Sequence, residues 1–174
     1  MARILMIIAP HDFRDEEYFE PHEMFKISGH TITTASEKIG DIVGTRGGIA
    51  KATLLIKDIS ANSYDCVVFV GGQGSYSYDH NHHVHRIAQD FYSQHKLTTA
   101  ICHAPILLGN AGLLFDKKVT VSSDDINQLQ ALGAHYMPAA VVVDGTIITA
   151  NGPTASTDFA KTIISHLEIF VLYL

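Results

Sequence analysis

The chemistry of this sequence is concentrated in Leu97-Thr98-Thr99-Ala100-Ile101-Cys102-His103-Ala104-Pro105. A β-branched apolar run stops at a cysteine, a histidine follows, and a proline opens the helical segment Ile106-Leu107-Leu108. A thiol at a strand–turn–helix junction is a nucleophile elbow, and such an elbow needs small neighbours because its side chain sits on a sharp backbone turn. Ala100 and Ala104 meet that need two residues before and two after Cys102, replacing the glycines of the hydroxyl version. The competing reading is a half-buried cysteine packed as a small hydrophobe. The other cysteine, Cys66, lies inside Cys66-Val67-Val68-Phe69-Val70 and reads as core.

Three further clusters carry polar or flexible groups. Asp15-Glu16-Glu17 opens a helix, where carboxylates ordinarily complement the dipole. Glu17 stands apart because Pro21, four residues on, has no N–H for its carbonyl and crowds it, which predicts an irregular backbone at Glu17. Gly71-Gly72-Gln73-Gly74 follows an apolar strand but lacks the G-x-G-x-x-G spacing and a suitably placed acid, so a dinucleotide site is not expected. Glycine N–H groups beside a nucleophile suit an oxyanion hole, and a plain tight turn is the alternative. His80-Asn81-His82-His83-Val84-His85 resembles a metal tract, yet no cysteine or carboxylate pairing completes a ligand set. It reads as the exposed start of a helix, and no metal or cofactor is expected.

Composition bounds these readings. The 174 residues fit one domain with a full core. Hydrophobic residues make up 47%, charged residues 17%, and the formal charge is −6, with no basic run, so nucleic acid is not an expected partner. No signal-type segment precedes the first strand and no uncharged apolar stretch is long enough to span a membrane, which points to the cytoplasm and away from membrane association. Two cysteines do not make a disulfide framework.

The elements that must position these groups alternate strand and helix, the signature of a parallel sheet covered on both faces. Strands are expected at 3–9, 30–35, 65–70, 97–101 and 118–121, with short hairpin strands between 39 and 55. Helices are expected from Asp15 to Gly29, over 81–95, over 124–132 and from Ser156 onward. Val141 to Ile148 reads as a hairpin whose Asp144-Gly145 supplies a type I′ turn. The polar loops after the strands fall at one sheet edge, where ligands bind in such folds. The apolar ending from Ile163 to Leu174 exceeds what one helix face buries and predicts a dimer or higher homo-oligomer.

With these residues in view, the chain resembles the ThiJ/PfpI family of the class I glutamine amidotransferase-like superfamily, which includes a Parkinsonism-associated deglycase and PfpI-type intracellular proteases. Ala9 to Gly29 resembles the family's opening, with Phe13, Asp15, Glu17, Pro21 and Gly29-His30 in matching places. Asp65 to Gly72 resembles its glycine strand, Ala100 to Pro105 its nucleophile motif, and Val141 to Pro153 its closing hairpin and Gly-Pro loop. The resemblance implies a flavodoxin-like three-layer sandwich with a small β-hairpin addition. It implies Cys102 as nucleophile, Glu17 as its carboxylic partner and the N–H groups of Gly72 and His103 as oxyanion donors. Ser123 and Asn151 fall at substrate-contact positions.

The chain also departs from the family pattern. Val70 replaces a proline, and Asn151 replaces a frequent arginine. Tyr76 stands near where PfpI-type proteases place a glutamate that reaches the histidine of a neighbouring subunit. Ser122, Ser123 and Asp124 stand where some relatives carry a histidine, which leaves His103 without an obvious acid other than Asp124.

The favoured expectation is a cysteine-dependent enzyme for reactive carbonyls, of glyoxalase or deglycase type, with Glu17 or His103 moving protons. A protonated Glu17 beside a thiolate with a lowered pKa is the expected resting state. The alternatives are a PfpI-type cysteine peptidase and a non-enzymatic redox sensor or chaperone that uses oxidation of Cys102.

Overall fold

The computed structural model describes residues 1–172, and side chains through residue 169. In chain order the first half holds β1 (Arg3–Ile7), α1 (Asp15–Ile27), β2 (Thr31–Ser36), β3 (Gly40–Val43), β4 (Ile49–Ala52), β5 (Leu54–Leu55) and β6 (Cys66–Phe69). There follow α2 (His82–Ser93), β7 (Leu97–Ile101), α3 (Pro105–Asn110), β8 (Lys118–Val119), α4 (Ile126–Ala131), β9 (His135–Tyr136), β10 (Val141–Asp144), β11 (Ile147–Ala150) and α5 (Ser156–Leu172).

Seven strands form the central sheet in the order β10-β11-β7-β6-β1-β2-β5. Every pairing in it is parallel except β10 with β11. Strands of a parallel sheet are buried on both faces, and the sequence obeys this with near-continuous apolar runs whose alternate residues face opposite ways. Leu5, Ile7, Val67, Phe69 and Ala100 pack with Val84, Ile87 and Phe91 of α2 and with Ile106 and Leu107 of α3. Ile4, Met6, Val68, Ile101 and Ile148 pack with Phe25 of α1 and with Phe159, Ile163 and Leu167 of α5. The result is the expected α/β sandwich, with β3 and β4 as an antiparallel hairpin beside α1.

That hairpin is tied to the start of α1. The Asp15 carboxylate accepts the N–H of Arg46 at 2.8 Å and of Gly48 at 2.7 Å. Asp15 therefore does more than complement a dipole: it fixes the loop that walls the entrance to α1. The irregularity expected at Glu17 is confined to the one hydrogen bond that Pro21 cannot make, since α1 continues through Pro21.

Two local expectations are corrected. In the β10–β11 hairpin Asp144 pairs with Ile147, so the loop is Gly145-Thr146. Gly145 has φ 63° while Thr146 is not left-handed, the pattern of a type II′ turn and not of type I′. The segment from Asp124 begins as a 3₁₀ turn over Ser123–Asp125, and the α-helix starts only at Ile126. The apolar ending used to predict self-association lies partly outside the described residues: the side chains of 170–172, and Tyr173 and Leu174 altogether. No helix among the described residues is long and apolar enough to cross a membrane.

Candidate active site

Cys102 is the first residue beyond β7, and its backbone is left-handed at φ 65°. A non-glycine residue there is strained by about 1–3 kcal/mol and persists only where its surroundings hold it. The surroundings are visible: the Cys102 N–H donates to the Ala150 carbonyl at 2.9 Å, and its carbonyl accepts the Ser122 N–H at 2.9 Å. The turn continues through His103 and Ala104, and α3 begins at Pro105. The elbow lifts the thiol to half-buried exposure between strand ends, whereas Cys66 inside β6 is fully buried.

Glu17, from the first turn of α1, is completely buried. Its Oε2 accepts the Gly71 N–H at 3.0 Å, and the carboxyl's other partner is the Cys102 thiol. Gly71 lies between the acid and the thiol. A Cβ there would come within 2.5 Å of Glu17 Oε2 and 2.6 Å of Cys102 Cβ, so only glycine admits the two groups side by side. Gly72 has φ 108°, and a Cβ on it would strike the backbone of Asp12, Phe13 and Arg14. The glycine pair is thus demanded by close approach as well as by conformation. Val70, just before it, donates its N–H to the Ile7 carbonyl at 3.0 Å, a bond that a proline would lack.

Burial pushes the Glu17 carboxyl up to about 7, against the pull of the Cys102 thiol, the Gly71 N–H and Arg14. Burial, and then the Glu17 carboxylate, push the Cys102 thiol up to about 12, opposed by the backbone N–H groups of His103 and Gly72. The expectation of a lowered thiol pKa is therefore not what the pocket produces. Two like charges cannot share so dry a space, so the pair carries one negative charge between its two ionisations. The N–H groups of Gly72 and His103, which are the expected oxyanion donors, face the sulfur itself.

His103 does not lack an acid. Its ring is 1% exposed, with Nε2 at 2.7 Å from Asp79 Oδ1 and Nδ1 at 3.0 Å from Asp125 Oδ2. The Asp79 contact is a directed hydrogen bond. The Asp125 contact is close but off the hydrogen-bond direction. Tyr76 stacks over the ring, centroids 3.6 Å apart and planes 17° off parallel. Burial and Asp125 push the Tyr76 phenol up to about 12.

Asp124, the acid expected from the sequence, is exposed, and its neighbour Asp125 occupies the position. The 3₁₀ turn rotates the chain by one residue relative to the helix that was expected. Ser123 is likewise exposed, and the serine that engages the site is Ser122, whose hydroxyl donates to Asp125. Asn151 is exposed at the same sheet edge, with its N–H on the Ala140 carbonyl.

The histidine tract contributes indirectly. Asn81 caps α2 by accepting the N–H groups of His83 and Val84, and His85 Nε2 lies 2.9 Å from the carbonyl of Asp79. Nothing in the local pattern around Asp79 marks it as a partner of His103. It sits 24 residues away in sequence, at the end of a 3₁₀ segment.

An α/β sandwich that carries a thiol on a strained strand-to-helix turn, beside a buried carboxyl and a glycine pair, defines a cysteine-elbow protein of the flavodoxin-like class. The chain belongs to the DJ-1/PfpI family, which it matches over residues 2–166. An uncharacterized protein of Methanocaldococcus jannaschii is 38% identical over 170 residues, covering 96% of this chain and 83% of the relative. A protein of Pyrococcus abyssi named a deglycase is 29% identical over 153 residues, covering 86% of this chain and 90% of the relative. The crystal structure of a ThiJ/PfpI domain protein from Brachyspira murdochii superposes with a TM-score of 0.94 at 34% identity, covering 95% of this chain and 96% of that one.

Proposed function

We propose that this protein is a cysteine-dependent enzyme acting on small reactive carbonyls, with a reaction of the glyoxalase or deglycase kind. The observation that carries the reading is the fully buried Glu17 carboxyl paired with the Cys102 thiol, which can give it a proton. Relatives named deglycases support the same class.

In the proposed reaction the Glu17 carboxylate takes the Cys102 proton as Sγ bonds to an aldehyde carbon. The carbonyl π electrons move to oxygen, and that oxyanion is held by the N–H groups of Gly72 and His103. Glu17 returns that proton to the oxyanion and is a carboxylate again. For a 2-oxoaldehyde, it then takes the proton from the former aldehyde carbon and delivers it to the neighbouring carbon, while the new hydroxyl's proton passes to the ketone oxygen. This leaves a thioester on Cys102. Water cleaves the thioester, releasing a 2-hydroxy acid and restoring the thiol, so the net reaction is addition of one water. A reducing compartment such as the cytoplasm suits a site whose thiol must remain free.

The test is conversion of methylglyoxal to lactate without glutathione, with Cys102→Ser as the blank. Turnover lost in the blank supports the proposal. Cys102-dependent hydrolysis of casein with no lactate formed would replace it with a peptidase. Silence in both assays, with reversible peroxide modification of Cys102, would replace it with a sensor.

A further inference from the structure

We infer that His103 is a positioning residue, locked by Asp79 and Asp125, and that Glu17 alone exchanges protons with Cys102. The inference rests on the reading of Cys102 and Glu17 given above and removes His103 from the proton path.

A base for Cys102 must turn a ring nitrogen toward the sulfur at hydrogen-bond distance. Both nitrogens of His103 face carboxylates instead: Nε2 is bonded to Asp79 at 2.7 Å, and Nδ1, without a hydrogen bond, lies 3.0 Å from Asp125. The two carboxylates are themselves anchored. The Asp79 carbonyl lies 2.9 Å from His85 Nε2 and accepts from Asn110 Nδ2 at 2.9 Å, which pins that residue between α2 and α3. The Asp125 carboxylate accepts the Ser122 hydroxyl and faces the Tyr76 hydroxyl at 3.4 Å. Tyr76 covers the ring face, so rotating the imidazole toward Cys102 would break the stack and take its nitrogens away from both carboxylates.

The ring fixes the peptide that follows the left-handed Cys102, and that peptide carries one of the two N–H groups facing the sulfur. His103 is thereby a main-chain donor held in place by its side chain. A neighbouring subunit's acid is not needed to orient it, because both acids come from the same chain.

The experiment is the pH profile of Cys102 alkylation by iodoacetamide in the wild type, Glu17→Gln, His103→Gln, Asp79→Asn and Asp125→Asn, with each fold checked by circular dichroism. The other charged or titratable groups facing the pair are Arg14 and Glu16 on α1 and Tyr76, all unchanged in these variants. The wild type should show one inflection near neutrality that Glu17→Gln abolishes. The three variants around His103 should keep that inflection within ~0.3 pH unit while lowering the rate severalfold.

A shift of about one unit or more in any of the three, which is tenfold in reactivity at fixed pH, overturns the inference. So does a second inflection that His103→Gln removes. Alkylation requires no substrate, so failure of carbonyl turnover would discard the proposed function and leave this result standing.

Discussion

The two cysteines stand at opposite ends of neighbouring parallel strands, one inside β6 and one just past β7, and have opposite fates. Cys66 opens β6 at the amino edge of the sheet, paired with Leu97 of β7. Cys102 is the first residue past β7, at the carboxyl edge. Burial raises both thiols, so desolvation does not distinguish them. Their partners do. Cys66 has nearby the Val67 carbonyl at 3.7 Å and Thr99, groups that belong to the sheet ladder and cannot move a proton. Cys102 has a carboxyl from one element, main-chain N–H groups from two others, and a backbone bent out of the ladder. The lesson is that what sets Cys102 apart is its departure from the sheet at the edge where loops converge, and not exposure alone.

The largest expected effect separates the cysteines outright. Cys102→Ser should lower carbonyl turnover by about 10³ or more, because a hydroxyl beside Glu17 is a far weaker nucleophile than a thiol. Cys66→Ala should leave turnover within about threefold and lower stability by about 1–2 kcal/mol through a small cavity. Steady-state methylglyoxal consumption and urea unfolding of both variants check this. A Cys66→Ala protein that is folded but inactive would erase the contrast.

Next in size is Glu17→Gln, which keeps the shape of the acid and removes its proton exchange. Turnover should fall by about 10²–10⁴. The variant also sharpens the comparison through stability. A buried carboxyl raised from 4.5 to about 7 binds its proton more tightly in the folded state than in the unfolded chain. Its contribution is therefore fully present below pH 4.5 and is lost as pH rises through about 7, a decline of about 3 kcal/mol at most. Glu17→Gln should flatten that part of the profile and unfold later than the wild type at pH 8. Urea midpoints from pH 4 to 8 read this directly, and parallel profiles for the two proteins would mean that the acid is not desolvated as described.

Much of this site was legible in the sequence because the signals were local. The elbow needs small residues within two positions of Cys102, and Ala100 and Ala104 supply them. Glu17 was marked by Pro21 one turn further along, and the glycine pair by its place after an apolar run. The fold was legible for a similar reason, since parallel strands buried on both faces write their period plainly. What escaped was the long-range packing around His103. Asp79 meets it across a loop that no period describes. Asp125 was displaced from Asp124 by a single residue, because a 3₁₀ turn advances the chain differently from an α-helix. Ser122, spaced three residues before Asp125, was the available clue: a hydroxyl and a carboxylate at that spacing across a turn mark the residue that faces inward. The hairpin error was of the same kind, since register placed Asp144 in the strand and moved the loop one residue on.

The smallest effect concerns the residue that supports the contrast from beneath. Val70 lies between β6 and the glycine pair, and its N–H bond to the Ile7 carbonyl is the last ladder bond before the chain turns into the site. Val70→Pro removes that donor, which costs about 1 kcal/mol. It also narrows the unfolded ensemble, which returns about 0.4–1 kcal/mol where the native φ is compatible. The preceding residue, Phe69, is already in a strand, so the proline's restriction on its neighbour is met. The two contributions nearly cancel, and the net change in stability should be within about 1 kcal/mol, with the alkylation rate of Cys102 unaltered. That outcome would mean that Gly71 and Gly72 are held by their own close contacts with Glu17, Cys102 and the chain at Asp12 to Arg14. A tenfold slower alkylation in a fully folded Val70→Pro protein would show instead that the edge of the ladder, and not the glycine pair, sets the distance between acid and thiol.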